Sequence, residues 1–193
     1  MLRSVALTVG AAAASVLLVS CSQPGPDTGE AAPPTEAAPS STPTGRPVDK
    51  PLDLKAVADP CQLLTPEQLA SFGLDDVEPV IETLPWDEKA CTWDSSDIGI
   101  TFDPNTVTGG GISRIQENQD NFDNYAETTV AGYPGAQVNA NELLCAVTIG
   151  TSGNDTLTAD VGYYSTIEAA PGDPCDLAKR AITEAVKNVP PQP

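Results

Sequence analysis

The chain has 193 residues, with nine Lys or Arg against 27 Asp or Glu, a formal charge of −18 and no histidine. Phosphate backbones and anionic lipid headgroups repel such a surface, which disfavours nucleic acid as a partner. Without His the usual neutral-pH general base is missing, as is every His-dependent triad.

The first twenty residues read as an export signal. Arg3 is their only charge, and Val5 to Val19 form an almost unbroken apolar run. A positive start and an apolar core make a secretory signal, and the run is short for a helix that must cross about 30 Å of hydrocarbon with about 20 apolar residues. It ends in Leu18-Val19-Ser20-Cys21, which resembles the bacterial lipobox. The resemblance implies diacylglyceryl transfer to the Cys21 thiol, cleavage after Ser20, and a lipid-anchored protein on the extracytoplasmic face of the cell membrane. An ordinary signal with an incidental cysteine is the plainer reading, but Leu18, Ser20 and Cys21 all fall in place. Loss of Arg3 with the signal would leave the mature chain at −19.

Residues 21–57 read as the lipidated cysteine and a tether. Eight prolines lie between Ser22 and Lys55, among Thr, Ser, Gly, Ala and Glu. Such a stretch buries too little surface to offset its ordering entropy and is expected to stay disordered. It would span roughly 35 Å as a flexible coil and roughly 110 Å as polyproline.

Residues 58–189 read as one domain and 190–193 as a tail. Thr65-Pro66-Glu67-Gln68 is a capping box that opens a short helix ended by Gly73. Val77 to Glu82, Lys89 to Trp93 and Ile98 to Phe102 read as strands. Gly109-Gly110-Gly111 is read as a hinge before a short helix over Ile112 to Gln119. Strands resume at Tyr125 to Val130, Ala136 to Val138, Glu142 to Ile149 and Thr156 to Tyr163, with Ser152-Gly153-Asn154-Asp155 as a hairpin turn. The last helix places Ala178, Ala181, Ile182, Ala185 and Val189 on one face, and Pro190 stops it. Runs of strands with helices at both ends predict an α+β fold with a mainly antiparallel sheet.

Cys61, Cys91, Cys145 and Cys175 are an even set in a domain read as exported, where disulfides persist. Zinc would want close CxxC or CxxH pairs, and the nearest two cysteines are thirty residues apart. Asp59-Pro60-Cys61 and Asp173-Pro174-Cys175 read as helix starts, with Asp as cap and Pro at the first position. Cys91 and Cys145 lie in strand-like runs. The expected pairs are Cys61–Cys91 and Cys145–Cys175, which close the shortest loops and staple each helix start to a strand. The alternative, Cys61–Cys175, would tie together the two ends of the domain.

Taken in order, the lipobox, the Pro/Thr tether, Asp59-Pro60-Cys61-x-Leu63-Leu64-Thr65, Cys91-Thr92-Trp93, Val130-x-Gly132-x-Pro134, the strand cysteine and Asp173-Pro174-Cys175-x-x-Ala178 form a specific set. The set resembles the actinobacterial lipoprotein family built on domain of unknown function 3558. That resemblance covers about residues 59 to 189. It implies a sheet-plus-helices fold similar to the Mog1/PsbP-like architecture, and it implies no activity.

Catalytic motifs fail one by one. None of the five lysines has Ser three residues before it, and Gly111-Ile112-Ser113-Arg114-Ile115 lacks the second Gly of a nucleophile elbow. The triple Gly lacks the Lys-Ser/Thr of a phosphate loop. Glu82, Asp87, Glu88 and Asp94 flank Trp86 and Trp93, so a carboxylate-paired sugar site is conceivable there, although most acids in so acidic a chain are solvated surface. Asp120 and Asp123 lack EF-hand spacing, and no metal or cofactor is expected. Trp93 reads as core beside Cys91, whereas Trp86, between Pro85 and Asp87, is the candidate for an exposed contact. The expectation is a membrane-anchored, non-enzymatic binding or interaction module of the cell envelope, its partner an envelope protein, a glycan or a lipid. The rival is a small carboxylate-dependent hydrolase or a ligand carrier. Binding is expected to vary little between pH 5 and 8 unless a carboxylate is strongly perturbed.

Overall fold

A computed structural model describes residues 48–164 and 172–193. The expected signal, Cys21 and the tether up to residue 47 lie outside the described residues.

Seven strands form one antiparallel sheet: β1 (Val80–Thr83), β2 (Lys89–Asp94), β3 (Ile98–Asn105), β4 (Ala126–Val130), β5 (Tyr133–Val138), β6 (Leu144–Gly150) and β7 (Thr156–Tyr163). Their order is β1-β2-β3-β7-β6-β5-β4, so two meanders meet where β7 pairs with β3 along eight residues. Helix α1 (Pro66–Ser71) follows a 3-10 turn at Pro60–Leu63, α2 (Gly111–Glu117) links the meanders, and α3 (Pro174–Ala185) lies near the C-terminus. This is the α+β architecture expected, with its antiparallel sheet.

Strand alternation sorts the side chains. On β3, Ile98, Ile100 and Phe102 are buried on one face, and Thr101, Asp103 and Asn105 are half-buried on the other. Leu157, Ala159, Val161 and Tyr163 of β7, and Cys145, Val147 and Ile149 of β6, continue the apolar face. Against that face α3 buries Ala178, Ala181, Ile182 and Ala185, each fully enclosed. Trp93 is core, as expected, and meets Phe102 edge-on with ring centroids 6.3 Å apart.

Both disulfides pair as expected, Cys61 with Cys91 and Cys145 with Cys175, each across a separation of 30 residues. Asp173 accepts hydrogen bonds from the backbone of Cys175 and Asp176 and so caps α3. Asp59 caps Cys61 in the same way, yet opens only a single 3-10 turn. The reason is local. Pro66 holds Thr65 extended at ψ 160°, so the first turn cannot run on into α1.

Two expectations change. Leu52 and Leu54 lie in the stretch expected as tether but are buried, and the chain around them closes on the C-terminal tail. Leu52 bridges Pro191, the Asp53 N–H donates to Pro190 O and the Gln192 N–H donates to Pro51 O. The domain therefore reaches back to residue 51 and includes the four-residue tail. The glycine run is not a hinge. Gly111 has φ +52°, its N–H donates to Asn154 O, and a Cβ there would sit 2.7 Å from Gly153 O. Glycine is needed for close approach of α2 to the β6–β7 turn, and its own N–H is already taken by that turn.

Candidate functional site

A large hollow forms where α1 gives way to β1. The Thr65 hydroxyl accepts from Gln68 N–H and the Gln68 side chain accepts from Thr65 N–H, which fixes the start of α1. Gly73, at φ +75°, reverses the chain, and the Leu74 N–H closes back onto Leu69 O. Gln68 then reaches across to α3, donating to the backbone oxygen of Glu184 at 3.2 Å and to its carboxylate at 3.0 Å. Arg180 of α3 stacks over the Phe72 ring at 5.3 Å. Held in this way, α1 and segment 74–79 stand apart and leave a cleft of about 630 Å³.

Its walls are Cys61, Leu64, Pro66, Leu69, Val77 and Pro79, with Trp93 buried behind them. That volume and mainly apolar lining fall in the usual range of small-ligand sites. Gln62 and Thr65 are its neutral polar groups, and its charged groups are of one sign. Asp75, Asp76 and Glu78 stand exposed at the rim, and no Lys or Arg lines the cleft. The cleft arises from how α1 docks on α3 and how the Pro60–Leu63 turn packs on β2, and only the acidic run Asp75-Asp76-Val77-Glu78 marks it in the sequence.

The opposite face of the sheet has a different chemistry. Thr92 and Thr101 share a hydroxyl hydrogen bond at 2.9 Å, and so do Thr148 and Thr158. Asp103 lies opposite Thr158 and Asp160 opposite Thr101, so the two carboxylates are diagonal neighbours on one face, about 7–8 Å apart at that spacing. Burial pushes the Asp103 carboxyl up to about 7, and Asp160 and Glu88 add their charges to the rise. One Asp103 oxygen and one Glu88 oxygen are buried without a hydrogen-bond partner among the described residues. Desolvation pushes Asp160 the same way, up to about 6. Asp160 is nevertheless exposed, which argues for a smaller rise there than at the half-buried Asp103.

A raised carboxyl beside a second one is the raw material of general acid–base catalysis. Here the two do not converge. A hollow of about 260 Å³ beside Leu144 and Tyr164 is lined by Asp160 but not by Asp103.

The conceivable sugar site is not assembled. Trp93 is enclosed on the apolar face, and Asp94 on the other face accepts from the Tyr164 hydroxyl at 2.8 Å. Glu88 accepts from the Thr106 N–H, while Glu82 is exposed on β1. Trp86 sits in the β1–β2 turn, where Asp87 takes φ +65°. It is half-buried with its indole N–H inside and unpartnered, so it presents less contact surface than its Pro-Trp-Asp setting implied. Asp120 and Asp123 are exposed, and among the described residues no group of three or more His, Cys, Asp or Glu is placed to hold a metal ion. No helix among the described residues is long and apolar enough to cross a membrane.

Fold and cleft together define a small α+β domain braced by two disulfides, with one apolar, acid-rimmed hollow. A family model described as Protein of unknown function (DUF3558) matches residues 16–188, and the chain belongs to that family. No curated protein and no solved structure matches the chain, so the Mog1/PsbP-like likeness stands as an expectation from sequence.

Proposed function

We propose that the protein is a lipid-anchored, extracytoplasmic module of the cell envelope that binds a ligand or partner without transforming it. The cleft between α1 and segment 74–79 carries the binding half of this reading. It offers about 630 Å³ of mainly apolar space and no nucleophile, base or metal-ligand set beyond rim carboxylates. The hydrolase alternative has less support, because Asp103 and Asp160 share a sheet face but no cavity.

The anchoring half rests on the apolar run Val5 to Val19 and on Leu18-Val19-Ser20-Cys21. An acylated cysteine with two or more chains holds stably to a bilayer where one chain holds marginally. Cys21→Ser is expected to move the protein from the membrane fraction to the soluble one; continued membrane association of that variant overturns the anchor. For binding, native mass spectrometry of the protein isolated from its own envelope is expected to find a noncovalent adduct. Val77→Trp, which fills the cleft, should lose that adduct. An adduct that survives Val77→Trp places the ligand elsewhere.

A further inference from the structure

The sheet has two outer strands, and they are finished differently. On β4, Val130 is buried and the exposed positions are Glu127 and Thr129. On β1 all four residues are exposed, with Val80 at 55% and Ile81 at 48%. An edge strand that keeps β-branched apolar residues in water, with its outward N–H and C=O groups unpaired, is a template for another strand. No strand among the described residues lies outside β1.

This edge is continuous with the cleft. Pro79, which lines the cleft, directly precedes Val80. Ile81 lies opposite Cys91 in register and therefore on the same face as Cys91 and Trp93, the face toward which the cleft opens. A strand added to β1 would direct every second side chain to that face.

Charge selects the occupant. From Leu74 to Glu88 the chain carries Asp75, Asp76, Glu78, Glu82, Asp87 and Glu88 and no Lys or Arg. The described ion pairs, Lys179–Asp176 and Lys187–Glu184, involve none of them. A second copy of this chain would bring the same carboxylates and repel.

We propose that the cleft and the outer edge of β1 form one docking surface for an extended peptide segment of a partner protein, with alternating basic and apolar side chains, bound by strand addition. Backbone hydrogen bonds to β1 supply the pairing, the apolar side chains go to the cleft face, and the basic ones go to the other face beside the exposed Glu82, within the field of Asp75, Asp76 and Glu78. The inference deepens the binding-module reading and rests on it.

The test uses the full-length, ¹⁵N-labelled chain and an acetylated, amidated hexapeptide of alternating Val and Lys. Binding is expected to shift the amides of residues 74–83 and to weaken by roughly tenfold or more between about 0.05 and 0.5 M salt. The matching Val–Glu peptide should not bind. Pro is placed in turn at Val80, Ile81 and Glu82; the variant whose lost N–H points away from β2 should keep the amide spectrum of the fold and lose the peptide. The proposal is overturned if the amides of 74–83 do not move, if the Val–Glu peptide binds as well, or if β1 pairs copies of the chain instead. An envelope adduct that persists while those amides stay unmoved rejects strand addition alone; absence of both adduct and peptide binding rejects the module reading with it.

Discussion

The two faces of the sheet are made from the same strands yet do different physical work. One face carries Ile100, Phe102, Val147, Leu157 and Val161, is covered by α3, and receives both disulfides. The other carries paired threonines and, at its centre, Asp103, whose carboxyl burial pushes up to about 7 with the charges of Asp160 and Glu88 adding to the rise. The contrast teaches that stability and titration have been separated. Removing groups from the first face should cost folding free energy at any pH, whereas removing Asp103 should change its pH dependence.

The largest effect is expected on the braced face. Each disulfide closes a 30-residue separation, and chain entropy assigns such a loop roughly 3.6 kcal/mol. Cys145→Ala with Cys175→Ala should therefore lower the denaturant midpoint strongly, and Cys61→Ala with Cys91→Ala by a similar amount. Urea titration with the slope fitted for each variant checks this, since a chain without its cross-link exposes more surface on unfolding. A loss below about 1 kcal/mol for either pair would mean that the covered face does not depend on its staples.

Asp103→Asn sharpens the contrast from the other side. Its carboxyl rises from 3.8 to about 7 on folding, so the neutral form belongs to the folded state. The stability this contributes is fully present below pH 3.8 and is lost as pH rises through about 7. The Asn variant keeps a neutral side chain throughout. It is expected to match the parent near pH 3.5 and to exceed it by about 1–2 kcal/mol at pH 8, a figure reduced for the solvent contact Asp103 retains. Thermal melts across that range decide it; a variant less stable than the parent at pH 8 would show that the ionised carboxylate is a needed partner.

A smaller effect is expected at the joint between α1 and α3. Gln68 completes the capping box and bonds to Glu184, and it accepts from the Asn188 side chain at 2.8 Å. Gln68→Ala should cost about 1 kcal/mol and, opposite in sense to the carboxylate variant, slightly more at pH 8 than at pH 4, because Gln68 is one of the groups that hold the Glu184 carboxyl below its usual 4.5. Urea midpoints at the two pH values read this directly.

Much of this was legible before any coordinates. Alternation in Ile98-x-Ile100-x-Phe102 and in Leu157-x-Ala159-x-Val161 marked the inner face, and the Asp-Pro-Cys phrases with two strand cysteines marked the staples. These are local patterns, and local chemistry writes them. The pairing of β3 with β7 is not local. Asp103 and Asp160 are 57 positions apart, and no nearby signal says that their strands touch. The cleft stayed hidden for the same reason, since it depends on α1 docking against α3. Composition also misled at Leu52 and Leu54, where proline-rich surroundings disguised two core residues. Trp86 looked exposed because its neighbours are Pro and Asp, but the turn folds its indole N–H inward.

The central claim is that recognition belongs to the cleft and the β1 edge, while the carboxylate face only titrates. The most direct test is the affinity of the alternating Val–Lys peptide for two variants, measured from pH 5.5 to 7.5. Asp75→Asn with Asp76→Asn and Glu78→Gln removes the rim charges, and Asp103→Asn with Asp160→Asn neutralises the opposite face. The account predicts that the rim variant loses roughly tenfold or more in affinity, while the opposite-face variant binds like the parent and both profiles stay flat with pH. Loss of binding in the opposite-face variant, with the rim variant unaffected, would contradict it.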